Sequence, residues 1–166
     1  MRDDYVLGHS SDEYERLRRQ AEVLEPATRR VFQSIGLRPG WTCLDVGCGP
    51  GEGMRLMGEF VGPSGEVTGL DRDCKAGCEA IGRRRAAGTS RYHFIEADIE
   101  TVDQIGGTLF DLTFARLALL FVRDPLQRIA RCTAGPGQVD TSSFRTTTFA
   151  RSTFTPGSKH ARSSCG

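Results

Sequence analysis

The chain has 166 residues, 38% hydrophobic and 26% charged, the balance of a globular domain with its own core and not of a disordered, collagenous or coiled-coil chain. Its net charge of +1 supplies no global field toward nucleic acid or an anionic membrane, and neither is expected as a partner. The apolar run Leu117 to Val122 is far shorter than the roughly 20 residues a membrane helix needs, and the acidic start at Asp3 and Asp4 is unlike a signal peptide, so a cytoplasmic protein is expected.

In chain order, Ser10 and Glu13 have capping-box spacing, and Tyr14, Leu17, Ala21 and Leu24 recur at helical intervals. This predicts a first helix from about Ser11 to Glu25. Pro26 suits the first turn of a second helix, with Val31, Phe32 and Ile35 on its apolar face and Gly36 as its stop. From Trp41 the pattern changes to short apolar strands: Thr42 to Val46, Val67 to Leu70, Tyr92 to Ile95 and Phe110 to Phe114. Helices are expected between them at Glu52 to Phe60, Cys74 to Ala87 and Thr101 to Ile105, and Asp124-Pro125 opens another that runs to about Arg131. Strict alternation of strand and helix predicts βαβ units and a parallel sheet.

After Ala130 the periodicity stops: residues 131–166 hold 13 Ser or Thr and no Leu, Ile, Met or Glu, too little apolar surface to build a core. Residues 132–166 therefore read as a Ser/Thr/Arg-rich tail, disordered or translated out of frame. The six cysteines lack C-x2-C pairs or interspersed histidines, so no metal site is expected. Cys74 and Cys78 form an i, i+4, i+7 stripe with Ile81 and read as buried small hydrophobes. The Arg83-Arg84-Arg85 run reads as a solvated helix end.

The most informative stretch is Leu44-Asp45-Val46-Gly47-Cys48-Gly49-Pro50-Gly51-Glu52-Gly53, a strand running through a glycine-dense turn into a helix. Such a turn lets a ligand approach bare backbone, beside the unpaired N–H groups of a helix start. A dinucleotide G-x-G-x-x-G fails from either Gly47 or Gly49, whose sixth positions are Glu52 and Met54, and no Lys-Ser/Thr completes a P-loop. An oxidoreductase using nicotinamide is disfavoured on that ground. Asp71 ends the next strand, 20 residues beyond Gly51; a helix cap is its other reading, but Asp73 is better placed for that. Asp45 is an acid on an otherwise apolar strand, a costly place without hydrogen bonds.

In G-x-G-x-G preceded by an acid, and in the order of Val67-Thr68-Gly69-Leu70-Asp71-Arg72, Phe94-Ile95-Glu96-Ala97-Asp98-Ile99 and Phe110-Asp111-Leu112-Thr113-Phe114-Ala115-Arg116, the chain resembles the class I S-adenosylmethionine-dependent methyltransferases over about residues 5 to 131. Tyr5 to Ser10 with Arg16-Leu17 is similar to small-molecule methyltransferases that carry an N-terminal helical lid. The resemblance implies a Rossmann-like α/β fold: a lid over residues 1–36, an S-adenosylmethionine-binding domain over 37–131, and strand order 3-2-1-4-5-7-6. It implies that Asp45, Gly47, Cys48, Gly49 and Gly51 form the cofactor loop, that Asp71 with Arg72 binds the ribose, and that Asp98 with Ile99 binds the adenine. Arg116 would meet the methionine end through its backbone carbonyl, its side chain being an alternative anchor for an acidic substrate. Cys48 is a loop filler, and of the two histidines considered as a base, His9 is preferred to the mid-strand His93.

The implied reaction is methyl transfer to a small-molecule acceptor by in-line displacement. Strands five to seven are expected to be missing, since polar Asp140-Thr141-Ser142-Ser143 follows the Pro-Gly turn near Gly137. That would leave the fourth strand as a bare edge open to self-association. A catalytically incompetent cofactor-binding remnant is the rival reading.

Overall fold

A computed structural model of the chain describes residues 11–87, 90–102, 105, 110–125 and 127–129. The Tyr5 to Ser10 motif with His9, and the tail from 132, lie outside the described residues. Helix α1 spans Ser11–Ser34, β1 Thr42–Val46, α2 Glu52–Val61, β2 Glu66–Asp71, α3 Cys74–Ala87, β3 Arg91–Glu96 and β4 Leu112–Ala115, and a 3-10 turn follows at Ala118–Phe121.

The two helices expected before the sheet are one. Pro26 lies inside α1, where it removes the bond its N–H would have made to the Glu22 carbonyl, a loss of about 3 kcal/mol in an isolated helix. Docking on both sides of the proline offsets that loss. Ala21, Thr28 and Phe32 are buried, the Thr28 hydroxyl donates to the Leu24 carbonyl at 3.0 Å, and Arg29 pairs with Glu25 and with Glu59 of α2. The helix ends as expected at Gly36, at φ +73°, with the Leu37 N–H donating to the Phe32 carbonyl.

The four strands form one parallel sheet in the order β3-β2-β1-β4, the first four places of the expected order. Asp45 pairs in register with Gly69 and Phe114, so the C-terminal ends of all four strands share one edge of the sheet. Alternation sorts the side chains: Cys43, Val67, Tyr92, Leu112 and Phe114 join Phe32 of α1, Met54 and Met57 of α2 and Ile81 of α3 on one face. On the other face Leu44, Val46, Leu70 and Ala115 pack with Ile105, Leu119 and Ile129.

Three expectations change at the element ends. Phe110 and Asp111 precede β4, where the Asp111 carboxylate accepts from the Thr42 N–H at 2.8 Å and its own N–H donates to the Thr42 carbonyl. The helix expected at Thr101 is, in its described part, a turn in which Thr101 and Val102 donate to the Asp98 carbonyl. Cys74 and Cys78 are exposed and not buried, because α3 turns Ala76, Gly77, Ala80 and Ile81 inward instead. Phe94 lies so close over Gly77 that a Cβ there would meet its ring at 2.0 Å, which fixes the buried face. The helix expected after Asp124 is present in its described residues, and the Asp124 carboxylate accepts from the Gln127 N–H.

An equally close approach joins α2 to β3. A Cβ on Gly58 would lie 1.8 Å from Tyr92 Oη, and Tyr92 is only 2% exposed, so the ring has nowhere to retreat. Gly58→Ala is expected to destabilise the fold by about 1–3 kcal/mol, the usual range for overpacking. Adding Tyr92→Phe should recover part of that loss. Urea unfolding of the two single variants and the double variant checks it, and additive losses would contradict the contact.

Candidate functional site

The site is built where the C-terminal edge of the sheet meets the β1–α2 loop. Beyond Val46 the chain turns through Gly47, Gly49 and Gly51 at φ +69°, +47° and +82°. The Gly47 and Cys48 N–H groups donate to the Leu70 carbonyl at 2.7 and 3.1 Å, which fastens the loop to β2. At Gly47 a Cβ would sit 2.2 Å from Ala118 Cβ, so glycine is required by contact as well as by φ. At Gly49 a Cβ would meet nothing within 4 Å: the bare backbone faces open space.

Asp71, the last residue of β2, accepts from the Gly49 N–H through Oδ2 at 2.8 Å and from the Asp73 N–H through Oδ1 at 2.9 Å. Its carboxylate is thereby oriented, and each oxygen keeps lone-pair capacity for a further donor. Asp73 caps α3 as the sequence indicates, accepting from the Ala76 N–H at 3.1 Å, and also takes the Tyr14 hydroxyl of α1.

Asp45 is buried beneath the first turn of α2, so close that a Cβ on Gly53 would meet its Oδ2 at 2.4 Å. Burial pushes its carboxyl up to about 7; the Arg116 guanidinium opposes the rise and the Asp71 charge adds to it. Arg116, at the end of β4, donates from Nη1 to Thr28 Oγ1 at 3.1 Å, which ties it to α1, and burial lowers its own pKa.

Asp98 and Ile99 follow β3. The Asp98 carboxylate accepts from the Glu100 N–H at 2.9 Å, as a turn aspartate does, and its Oδ2 lies 4.0 Å from Arg72 Nη1. These groups surround a cavity of about 320 Å³, the lower end of the small-ligand range. Asp45, Gly47, Cys48, Gly49, Asp71, Arg72, Asp98, Ile99 and Arg116 all line it, whereas Gly51 does not. Gly51 packs instead against Ala80 of α3, which a Cβ would meet at 2.7 Å.

Cys48 is buried, and its thiol is pushed well above its ordinary value, first by that burial and then by Asp45, so it stays protonated and is no nucleophile. His93 is away from the cavity, on β3, with Nε2 3.5 Å from Glu66 Oε1. Among the described residues no cluster of His, Cys, Asp and Glu fit to hold a metal is found, and no helix is long and apolar enough to cross a membrane.

Two parts of the site are not evident in the sequence pattern. Leu17, Gln20 and Ala21 of α1 form one wall, although their spacing by itself marks only an apolar helix face. Arg83, though exposed, and Arg84 do more than solvate a helix end: Arg83 donates to the Pro50 carbonyl at 3.0 Å and Arg84 to Glu52 Oε1 at 2.9 Å, and together they brace the loop from α3. Basic residues at a helix end carry no signal of the carbonyl or carboxylate that receives them.

A family model described as a methyltransferase domain matches residues 37–153. A 68-residue segment, 40% of the chain, is 38% identical to demethylmenaquinone methyltransferase of Staphylococcus aureus and spans 28% of that protein. Among solved structures, a SAM-dependent methyltransferase from Aquifex aeolicus superposes with TM-score 0.54 at 21% identity, over 63% of this chain and 55% of that one. A TehB-like SAM-dependent methyltransferase from Corynebacterium glutamicum superposes at 0.52 with 23% identity, over 75% and 70%. Both likenesses are of fold.

A cavity edged by Asp45, Asp71 and Asp98, with bare backbone at Gly49, fits a ligand that carries hydroxyl and amino donors and positive charge, as S-adenosylmethionine does. Match and topology agree: the chain belongs to the methyltransferase-domain family.

Proposed function

We propose that the chain binds S-adenosylmethionine in this cavity and passes its methyl group to a small-molecule acceptor. The observation that carries the reading is the Asp71 carboxylate, held by the Gly49 and Asp73 N–H groups beside the open face of the loop. In this reading Asp71, with Arg72 beside it, accepts the ribose hydroxyls, and Asp98 with Ile99 receives the adenine. Asp45, the Gly47 to Gly51 loop and the backbone of Arg116 hold the methionine end. Residues 37–131 are the binding domain, and α1, within residues 1–36, covers it.

S-adenosylmethionine supplies a methyl group already activated on a sulfonium, so transfer is an in-line displacement with no covalent enzyme intermediate. The work left to this chain is to orient the two ends, exclude water and align the acceptor. Leu17 and Ala21 close one side with apolar surface. A general base is needed only for a protonated acceptor, and His9, the candidate from the sequence, lies outside the described residues.

The test is a screen of small O-, N-, S- and C-nucleophiles with methyl-labelled S-adenosylmethionine, read as acceptor-dependent S-adenosylhomocysteine and labelled product. Product with at least one acceptor is expected. Tight cofactor binding with no product from any acceptor would leave a binding module and overturn methyl transfer.

A further inference from the structure

Cys74 and Cys78 stand outside the site just described and lack the burial that ordinarily explains a cysteine. Both are exposed, one turn apart at the start of α3, with their sulfurs 3.6 Å apart. Hydrogen bonds to Cys78 and to the Glu96 carboxylate at the end of β3 push the Cys74 thiol up to about 11, and Cys78 stands exposed beside it. Cys74 also follows the α3 cap. Asp73 accepts from Ala76 and from Tyr14, and its N–H donates to Asp71.

We propose that Cys74 and Cys78 are an oxidant-sensitive dithiol that peroxide closes to a disulfide within α3, and that closure disturbs the Asp73 cap and through it Asp71. The oxidant is hydrogen peroxide. The Cys78 sulfur, as thiolate, attacks one peroxide oxygen and breaks the O–O bond, giving a sulfenic acid and hydroxide. Cys74 then gives up its proton, and its sulfur, as thiolate, attacks the Cys78 sulfur, forms the S–S bond and expels that oxygen as a second hydroxide. The two thiol protons convert both hydroxides to water, so two thiols and one peroxide give one disulfide and two waters. The neighbouring thiol intercepts the sulfenic acid before further oxidation.

Regular helix geometry sets the consequence. Residues four apart keep their Cβ atoms about 5–6 Å from each other, whereas a disulfide holds them near 3.8 Å. Closure therefore draws in the first turn, where Asp73 holds the Ala76 N–H. A bond strained and exposed in this way is readily reduced again, as a reversible modification requires.

The chemical half is independent of the proposed function; the effect on the cofactor rests on it. The experiment treats the reduced full chain with stoichiometric peroxide and maps it with trypsin. Cleavage after Arg72, Lys75 and Arg83 puts the two cysteines in separate peptides, Asp73 to Lys75 and Ala76 to Arg83. The expected result is a linked pair of these peptides that dithiothreitol separates and that Cys78→Ser lacks. Free thiols, sulfinic acids or links to other cysteines in their place would overturn the dithiol.

Amide hydrogen exchange at residues 74–78 should speed up on oxidation whether or not a ligand binds, and unchanged exchange would overturn the effect on the cap. S-adenosylmethionine affinity should fall about fivefold or more on oxidation, the lower range of coupling between sites. It should recover with dithiothreitol, and in Cys74→Ser/Cys78→Ser it should not respond to peroxide. Linked peptides with unchanged affinity would overturn the coupling alone. A reduced chain that binds no cofactor would count against the proposed function, with the peptide map and exchange still deciding the dithiol.

Discussion

Phe32→Ala is expected to destabilise the fold by about 3–5 kcal/mol, the range for removing a fully buried phenylalanine ring. Phe32 has no exposed surface and meets Phe60 of α2 and Phe114 of β4 edge-on, with ring centroids 5.8 and 5.0 Å away. With Val31 and Ile35 packed beside it, Phe32 carries α1, which walls the cavity, into the main core. The ring's loss leaves a cavity between helix and sheet and also removes the docking that keeps α1 continuous across Pro26. Urea unfolding followed by far-ultraviolet circular dichroism measures the change. Phe32→Leu, which retains much of the volume, should lose clearly less, and equal losses would contradict the packing account.

The second large effect is a dependence of stability on pH set by Asp45. Its carboxyl stands at about 7 in the folded chain against an ordinary 3.8, chiefly because burial disfavours the charge. The folded state therefore holds a proton that the unfolded state has lost throughout the window between those values. Stability from this group is fully present below about pH 4 and is lost as pH rises toward 7. At about 1.4 kcal/mol per pKa unit the loss is on the order of 4 kcal/mol. Asp45→Asn, which cannot ionise, should be more stable than the parent above pH 7 by up to that amount and should lack this slope. Carboxylates such as Glu13 and Glu25, held below their ordinary range by hydrogen bonds to Arg16 and Arg29, contribute the opposite slope to both proteins. The difference between parent and variant across pH 4.5 to 8 isolates Asp45, and a difference independent of pH would contradict its assignment.

Much of this architecture is legible in the sequence because apolar β-branched runs and glycine turns signal locally. The strand at Thr42–Val46 is read to the residue, and the others to within two residues at each end. The Asp73 cap and the Gly36 stop follow from side-chain and backbone chemistry confined to a few neighbouring residues. What is not legible depends on partners distant in the chain. Pro26 reads as a helix start because the docking of Phe32 and the ion pair of Arg55 with Glu25 join segments some 30 residues apart or more. The spacing of Cys74, Cys78 and Ile81 reads as a buried stripe, yet only Ile81 of the three is buried, and α3 otherwise turns in Ala76, Gly77 and Ala80, small residues that admit the close approach of Phe94 and Gly51. Within the site, the glycines of the β1–α2 loop and the strand-end acids are visible as a motif. The braces from Arg83 and Arg84 and the α1 wall are visible only once the helices are packed.

In the proposed function the cavity at the strand ends receives S-adenosylmethionine, with Asp71 as its anchor. Calorimetric titration of the purified chain with S-adenosylmethionine, beside Asp71→Ala and a control titration with NADH, tests it most directly. Saturable binding is expected, weakened in the variant by about 1–3 kcal/mol, the loss for a charged hydrogen-bond acceptor, with no saturable binding of NADH. A folded chain that takes up no S-adenosylmethionine, or that binds it as well without the Asp71 carboxylate, would contradict it.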